Sequence, residues 1–291
     1  MHFKFKIQPY QTAAAKAVAD VFAGQPNSGA AVYLRDLGRG ATKNGMETIA
    51  GFEEQLEASE GYANAPLALG SATLLDNIHK VQRANGIPET EALAKGPAPV
   101  NLDVEMETGT GKTYVYTKTM LELNRLYGWT KFIVVVPSIA IREGVYKSLK
   151  NTEQHFFEQY GKAIRYFVYD SSRLGEIDRF SSSADVNVMI INMQKFNTSM
   201  KEGGSSKEAR IMYSERDEFG SRRPIDVIAA NNPIVIQDEP QKMGGKATQA
   251  GIKRFHPLAC LNYSATHKDQ HDMVYVLDAL DAYNQRLVKR I

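Results

Sequence analysis

Two glycines, a lysine and a threonine are the first residues in this chain whose types and spacing suit chemistry. They stand in Glu107-Thr108-Gly109-Thr110-Gly111-Lys112-Thr113. Val104 to Met106 forms a short apolar lead-in, and Tyr114 to Leu126 continues with helix-permissive residues and few breakers. Strand, tight loop and helix in that order make a Gly-Lys-Thr string a candidate phosphate site. Gly109 and Gly111 can take positive φ and leave room for a phosphate beside the backbone. The amides of Thr108, Gly109, Thr110 and Gly111, with the following helix N-terminus, then face an anion. Lys112 would reach the β- and γ-phosphates, and the Thr113 hydroxyl would ligate Mg²⁺. The strict G-x-x-x-x-G-K-[ST] pattern asks for glycine where this chain has Met106, so the loop alone leaves open a glycine-rich turn before an ordinary helix.

A second element breaks the tie. Pro233-Ile234-Val235-Ile236-Gln237-Asp238-Glu239-Pro240-Gln241 holds a continuous apolar run, as expected of a strand buried on both faces of a parallel sheet. Asp238 and Glu239 fall at its C-terminal end, where open α/β sheets bind ligands. Asp238 would hold the Mg²⁺ shell, and Glu239 would orient or deprotonate the water attacking the γ-phosphate. Most Asp-Glu pairs after strands are solvated turns. Behind a P-loop candidate, at wide separation, the pair points to binding and hydrolysis of a nucleoside triphosphate.

The elements that must position these residues alternate. Lys4 to Tyr10 leads into a helix from Gln11 to Phe22, with Ala14, Val18, Val21 and Phe22 on one face. Ala30 to Leu34 has strand character, while Met46 to Glu60 and Ser71 to Ala84 read as helices separated by the small-residue stretch Gly61 to Gly70. Residues 24–99 therefore read as a mostly helical insertion without assigned chemistry, and His79 within it reads as a surface histidine. From Val100 the βα alternation is plain. Strands are predicted over Val100–Met106, Lys131–Val136, Ile164–Tyr169, Val186–Asn192 and Leu258–Tyr263. Helices are predicted over Lys112–Tyr127, Ile139–Tyr160 and Ala247–Phe255. Gly203 to Arg223 reads as a polar, mobile loop, Gln241 to Lys246 as a flexible turn, and Val274 to Ile291 as helix or linker. A parallel sheet covered on both faces follows from this order.

Composition sets few further bounds. A chain of 291 residues holds one large α/β domain or two small ones. A charged fraction of 23% and an apolar fraction of 43% are ordinary for a globular protein. A net charge of +2 neither requires nor excludes nucleic acid, because phosphate affinity depends on a local basic face. Cys260, the single cysteine, precludes an intrachain disulfide, fits a reducing cytoplasm and reads as a buried thiol. No window suits a signal peptide or a membrane span.

Several strings coincide in order: Tyr10-Gln11, Glu107 to Thr113, Val136-Pro137-Ser138-Ile139-Ala140-Ile141-Arg142-Glu143-Gly144, Asn192-Met193-Gln194-Lys195-Phe196, Asp238-Glu239-Pro240-Gln241 and Ser264-Ala265-Thr266. The set resembles the first motor domain of superfamily 2 helicase-like translocases. Its wording is similar to the restriction (Res) subunit of type III restriction–modification enzymes. The resemblance implies an α/β, three-layer, RecA-like P-loop NTPase domain over residues 1–291, with the variable insertion at about 24–99. It implies ATP and Mg²⁺ as cofactors, with Lys112, Asp238 and Glu239 catalytic and Thr113 and Asp238 at the metal. Gln11 would read the adenine edge, whose donor and acceptor suit a carboxamide. Gln241 would sit at the γ-phosphate side. Pro137, Ser138, Ile139 and Arg142 match a segment on the DNA backbone, and Asn192, Gln194 and Phe196 a further DNA-facing loop. Ser264 and Thr266 match the motif coupling nucleotide state to DNA contact; His267 beside them reads as a surface residue.

The resemblance also implies what else the family carries: a second motor domain with arginine fingers, a C-terminal nuclease domain and a methyltransferase (Mod) partner. On that basis the chain, ending just beyond Asn284-Gln285-Arg286-Leu287, looks like a fragment with weak hydrolysis and no DNA cleavage of its own. Two rival readings stay open. One is another superfamily 2 motor, from type I restriction or repair. The other is a non-catalytic ATP-binding module that regulates a partner.

Overall fold

The apolar runs pair into one seven-stranded sheet in the computed structural model, which describes residues 5–34, 60–215, 222–243, 245–268 and 270–287. In chain order the elements begin with α1 (Pro9–Val21), β1 (Ala30–Leu34), β2 (Glu60–Asn64), α2 (Ser71–Ala84), β3 (Val100–Met106) and α3 (Lys112–Tyr127). Then come β4 (Lys131–Val136), α4 (Ile139–Tyr160), β5 (Ile164–Val168), α5 (Leu174–Ser182), β6 (Val186–Asn192) and α6 (Met193–Ser199). The last are α7 (Lys207–Tyr213), α8 (Pro224–Ala230), β7 (Ile234–Asp238), α9 (Lys246–Lys253), β8 (Ala259–Ser264), β9 (Asp272–Leu277) and α10 (Ala279–Asn284). The strand order is β5-β6-β4-β7-β8-β3-β9, and every neighbouring pair in this sheet is parallel.

Two-residue periodicity divides the core between the two faces. Phe132, Val134, Val136, Ile234 and Ile236 pack towards α1 to α4, while Ile133, Val135 and Val235 pack towards α5 to α9. Helix layers on both sides leave the central strands wholly buried, which is why β4 and β7 are apolar without alternation. Among the described residues no helix is long and apolar enough to cross a membrane.

The inserted stretch is more than helical. Ser71 to Ala84 is a helix as expected, but β1 and β2 pair antiparallel as a two-stranded sheet of their own, with Ala30 opposite Asn64 and Leu34 opposite Glu60. The helix expected at Met46 to Glu60 lies outside the described residues except for Glu60, which opens β2, and the stretch from Gly61 continues that strand. β2 ends on a buried clamp. Asn64 Oδ1 accepts from the amides of Thr130 (2.7 Å) and Lys131 (2.9 Å), and Nδ2 donates to the carbonyls of Lys131 (2.9 Å) and Asn232 (3.0 Å). The side chain thereby ties main-chain groups at the starts of β4 and β7 to the end of β2.

Three further expectations are corrected. Part of the supposed loop at Gly203 to Arg223 is α7, capped by Ser206 Oγ accepting from Ala209 N at 3.0 Å, with Ala209, Ile211 and Met212 buried against the core. The reading of Val274 to Ile291 as helix or linker fails at its start: Asp272 to Leu277 is the edge strand β9, paired with β3, before the short α10. The turn expected from Gln241 begins instead inside a 3₁₀ turn spanning Pro240–Lys242. α5, α6 and α8 are helices too short to announce themselves by periodicity.

Candidate nucleotide site

Met106 ends β3, and the chain must reverse into α3 within five residues, which the glycines make possible. Gly109 and Gly111 sit at φ 86° and 88°, where a side chain is strained. Gly111 has a second reason to be glycine: a Cβ there would stand 2.7 Å from Gln11 Nε2. The loop closes on itself through Thr110, whose hydroxyl donates to the Glu107 carbonyl at 2.6 Å. Thr108 N–H meets the Glu107 carboxylate at 2.6 Å, so this amide already binds an oxyanion.

Gln11 stands against this loop. Pro9 starts α1, and in its first turn the buried Gln11 amide donates to the Thr110 carbonyl at 3.1 Å. Tyr10, to which the sequence assigned no role of its own, donates its hydroxyl to the same carbonyl at 2.8 Å. The two side chains fix the outer wall of the loop to α1.

β7 brings the carboxylates to the other side. Lys112 Nζ stands 2.9 Å from Glu239 Oε1 and 3.2 Å from the Met106 carbonyl, with both charged side chains nearly buried. Glu239 has left-handed backbone (φ 59°), a strained state for a non-glycine residue, held by its N–H donating to the Tyr263 carbonyl at 2.8 Å. Burial works to raise the Glu239 pKa, but the Lys112 hydrogen bond and charge, then Gln241, outweigh it and hold it below the ordinary value. Asp238 goes the other way, pushed up to about 6 by burial first and the Glu239 charge second. Adjacent carboxylates are thus split, one kept ionised by a lysine and one ready to hold a proton or a cation.

Asp238 and Thr113 also share a neighbour. The Tyr116 hydroxyl, one helical turn beyond Thr113, lies 3.3 Å from Thr113 Oγ1 and 3.5 Å from Asp238 Oδ2. Hydroxyl and carboxylate oxygens at the end of β7 suit a hard cation such as Mg²⁺ completed by phosphate and water. Among the described residues no group of three His, Cys, Asp or Glu side chains offers a metal site. A cation here would therefore rest on Thr113, Asp238 and the bound phosphates.

Gln241 extends the site outward. Its Nε2 donates to Glu239 Oε2 at 2.5 Å, and its Oε1 stands 2.7 Å from Ser264 Oγ. Ser264 Oγ in turn lies 2.6 Å from the Thr266 carbonyl and accepts from Thr266 N at 3.1 Å. Lys112, Glu239, Gln241, Ser264 and Thr266 form one unbroken polar chain from the P-loop to the end of β8.

The residues expected at DNA divide. Pro137, Ser138, Ile139 and Arg142 gather at the C-terminal end of β4, and Gln194 is exposed just past β6, on the same edge of the sheet. Ser138 Oγ caps α4 by accepting from Ile141 N at 3.3 Å, and Ile139 is half exposed beside it. Arg142 donates to Asn192 Oδ1 at 3.3 Å and pairs with Glu143 at 2.7 Å, tying the two segments together. Phe196 is not among them. It is buried within α6, edge-on to Phe255 with centroids 5.8 Å apart, so it packs the core and cannot meet a strand of DNA.

His267 is corrected too, while His79 keeps part of its surface exposed. His79 is half-buried, with Nε2 2.7 Å from the Thr90 carbonyl. The His267 side chain is enclosed, its Nδ1 3.6 Å from Asp103 Oδ2. Asp103, wholly buried in β3, accepts from His271 N (2.7 Å) and Asn262 Nδ2 (2.9 Å) and stands 3.0 Å from His271 Nδ1; Gln237 donates to Asn262 at 2.8 Å. This polar row crosses β7, β8 and β3 and pins the segment after Thr266. A charged residue inside the apolar β3 was the signal for it. Cys260 is the buried thiol expected.

The family model described as type III restriction enzyme, res subunit, matches residues 4–269. The chain belongs to this family. The Res subunit of the type III restriction-modification enzyme EcoPI from Escherichia phage P1 is 34% identical over 78% of the chain and 25% of that protein. The EcoP15I Res subunit from Escherichia coli is 32% identical over 79% of the chain and 25% of that protein. This Res-family chain therefore spans about a quarter of the length of the curated relatives it matches. Among solved structures, the DUF1998 helicase MrfA bound to DNA and AMPPNP is similar at 13% identity and a TM-score of 0.40, over 90% of this chain and 34% of that one.

Proposed function

We propose that this chain binds ATP with Mg²⁺ and hydrolyses it as the first RecA-like motor domain of a type III restriction Res subunit, covering residues 1–291. The observation that carries the reading is the convergence of Lys112, Thr113, Asp238 and Glu239 at the ends of β3 and β7, with Gln11 against the same loop.

The residues act in sequence. The amides of Thr108 to Gly111 and the N-terminus of α3 receive the phosphates. Phosphate oxygens compete for the Lys112 ammonium that Glu239 otherwise holds at 2.9 Å. Glu239, released from its lysine but still oriented by the Gln241 amide, accepts the proton of the attacking water. Thr113 and Asp238 would hold Mg²⁺, which would supply charge neutralisation at the phosphates. Any load on Thr266 reaches Glu239 through Ser264 and Gln241.

In the full enzyme this domain would couple ATP turnover to translocation along double-stranded DNA in the cytoplasm, beside a methyltransferase (Mod) partner, for site-specific cleavage. Pro137, Ser138, Ile139, Arg142 and Gln194 would face the DNA backbone. Alone, the chain would turn over slowly and not cut DNA. Lys112→Ala and Glu239→Gln test the reading by calorimetric ATP titration and phosphate release. Lys112→Ala is expected to abolish tight binding. Glu239→Gln is expected to keep binding and lose about 10²- to 10⁴-fold in turnover. Wild-type chain that binds no ATP, or a Glu239→Gln chain with unchanged turnover, refutes it.

A further inference from the structure

Tyr116 is fully buried on α3, its ring edge-on to Tyr263 with centroids 5.5 Å apart. Packing alone would be served equally by phenylalanine. A buried hydroxyl costs about 1–3 kcal/mol unless it finds partners, and this one has two: Thr113 Oγ1 at 3.3 Å and Asp238 Oδ2 at 3.5 Å. Both are residues to which the nucleotide reading gives the cation, and they arrive from different elements, α3 and β7. Tyr116 follows Thr113 by three residues, so the two share a helix face by geometry.

We propose that Tyr116 is a positioning residue for the cation site, its hydroxyl tying the Thr113 hydroxyl to the Asp238 carboxylate. This rests on the ATP reading above. A phenol has one proton to give and lone pairs to accept with. Its proton is shared between Thr113 Oγ1 and Asp238 Oδ2, which both accept from it. Thr113 Oγ1 keeps a second lone pair, and Asp238 keeps its second oxygen, for a cation. Both ligands are fixed without being used up. Outer partners of this kind set ligand orientation, and their loss weakens metal affinity by about 10- to 100-fold.

The test is Tyr116→Phe in the full chain, which keeps the ring and removes one oxygen. ADP affinity is measured calorimetrically in EDTA, and Mn²⁺ affinity of the ADP complex by electron paramagnetic resonance. Metal-free ADP affinity should stay within about twofold of wild type, while Mn²⁺ binding weakens about tenfold or more. A 4-aminophenylalanine at position 116, which retains a donor, should restore most of the Mn²⁺ affinity. Unchanged Mn²⁺ affinity in a folded Tyr116→Phe chain overturns the proposal and leaves the ATP reading standing. Wild-type chain that binds neither ADP nor Mn²⁺·ADP overturns both. Should Tyr116→Phe not fold, 3-fluorotyrosine at position 116 of the otherwise native chain gives the answer. Its ¹⁹F resonance must move when Mg²⁺ is added to the ADP complex, and an unmoved signal overturns the proposal.

Discussion

Asp103→Asn isolates what the buried polar row contributes. The wild-type carboxylate accepts from Asn262 Nδ2 and His271 N and faces His271 Nδ1 and His267 Nδ1, all on elements that meet at β3. An asparagine keeps one acceptor oxygen and turns an –NH₂ towards N–H donors. About two hydrogen bonds to a charged acceptor are lost, at about 1.5–3 kcal/mol each, so the cost is about 4 kcal/mol. For a domain of this size that lowers Tm by about 10 °C. Thermal and urea unfolding followed by circular dichroism measure it. Burial acts to raise the Asp103 pKa, but the His271 hydrogen bond, the His267 charge and the other His271 contacts outweigh it, leaving the net pKa lowered. The contribution is therefore fully present above the unfolded value of about 3.9 and is lost as pH falls through the lower folded value. The gap between wild type and variant should hold from about pH 8 to pH 5 and close below about pH 4. A loss below about 1 kcal/mol at pH 7 would refute the reasoning, since it would mean that solvent or a rearranged His271 replaces the carboxylate.

Other perturbations read other parts of the molecule. Asn64→Ala removes four hydrogen bonds to main-chain groups around β4 and β7 and is expected to cost about 4 kcal/mol in urea unfolding; a loss under about 1 kcal/mol would show that the clamp is dispensable. Asp238 holds its proton up to about 6, so protons compete with the cation below that pH. Apparent Mg²⁺ affinity of the ADP complex should fall towards tenfold per pH unit from about pH 6 downwards and be flat above about pH 7.5; a flat profile throughout refutes it. Because this pKa is raised, the folded chain without metal keeps a proton that the unfolded chain has released. The Asp238 contribution to stability should therefore decline as pH rises from about 4 to about 6. Gly111→Ala strains a left-handed residue and drives a Cβ to 2.7 Å from the Gln11 amide. ADP binding weakened by about tenfold or more, by calorimetry, is the expected outcome, and wild-type affinity would refute the close approach.

The phosphate loop and the Asp-Glu pair were legible because their chemistry needs consecutive residues at the end of one strand. The doubly covered sheet was legible for a similar reason, since β4 and β7 carry apolar residues on both faces. β9 was not, because an edge strand buries less: Met273 and Val276 are half-buried, and a short alternation near the end of the chain passes for helix. Phe196 was misplaced because Met193, Phe196 and Ser199 share the inner face of a helix of only seven residues, while Gln194 beside them faces out. His267, His271 and Tyr116 depend on which strands lie side by side, and no local spacing states that β9 adds to β3 or that α3 faces β7.

The pairing of β1 with β2 has a consequence for what the fold tolerates. Leu34 and Glu60 lie opposite one another, so the chain leaves and re-enters the described fold at neighbouring points. The distance that residues 35–59 must bridge is then independent of their number, and the entropic cost of lengthening such a connection grows only logarithmically. The β1–β2 register thus holds Asn64 at its clamp whatever length of chain joins the two strands.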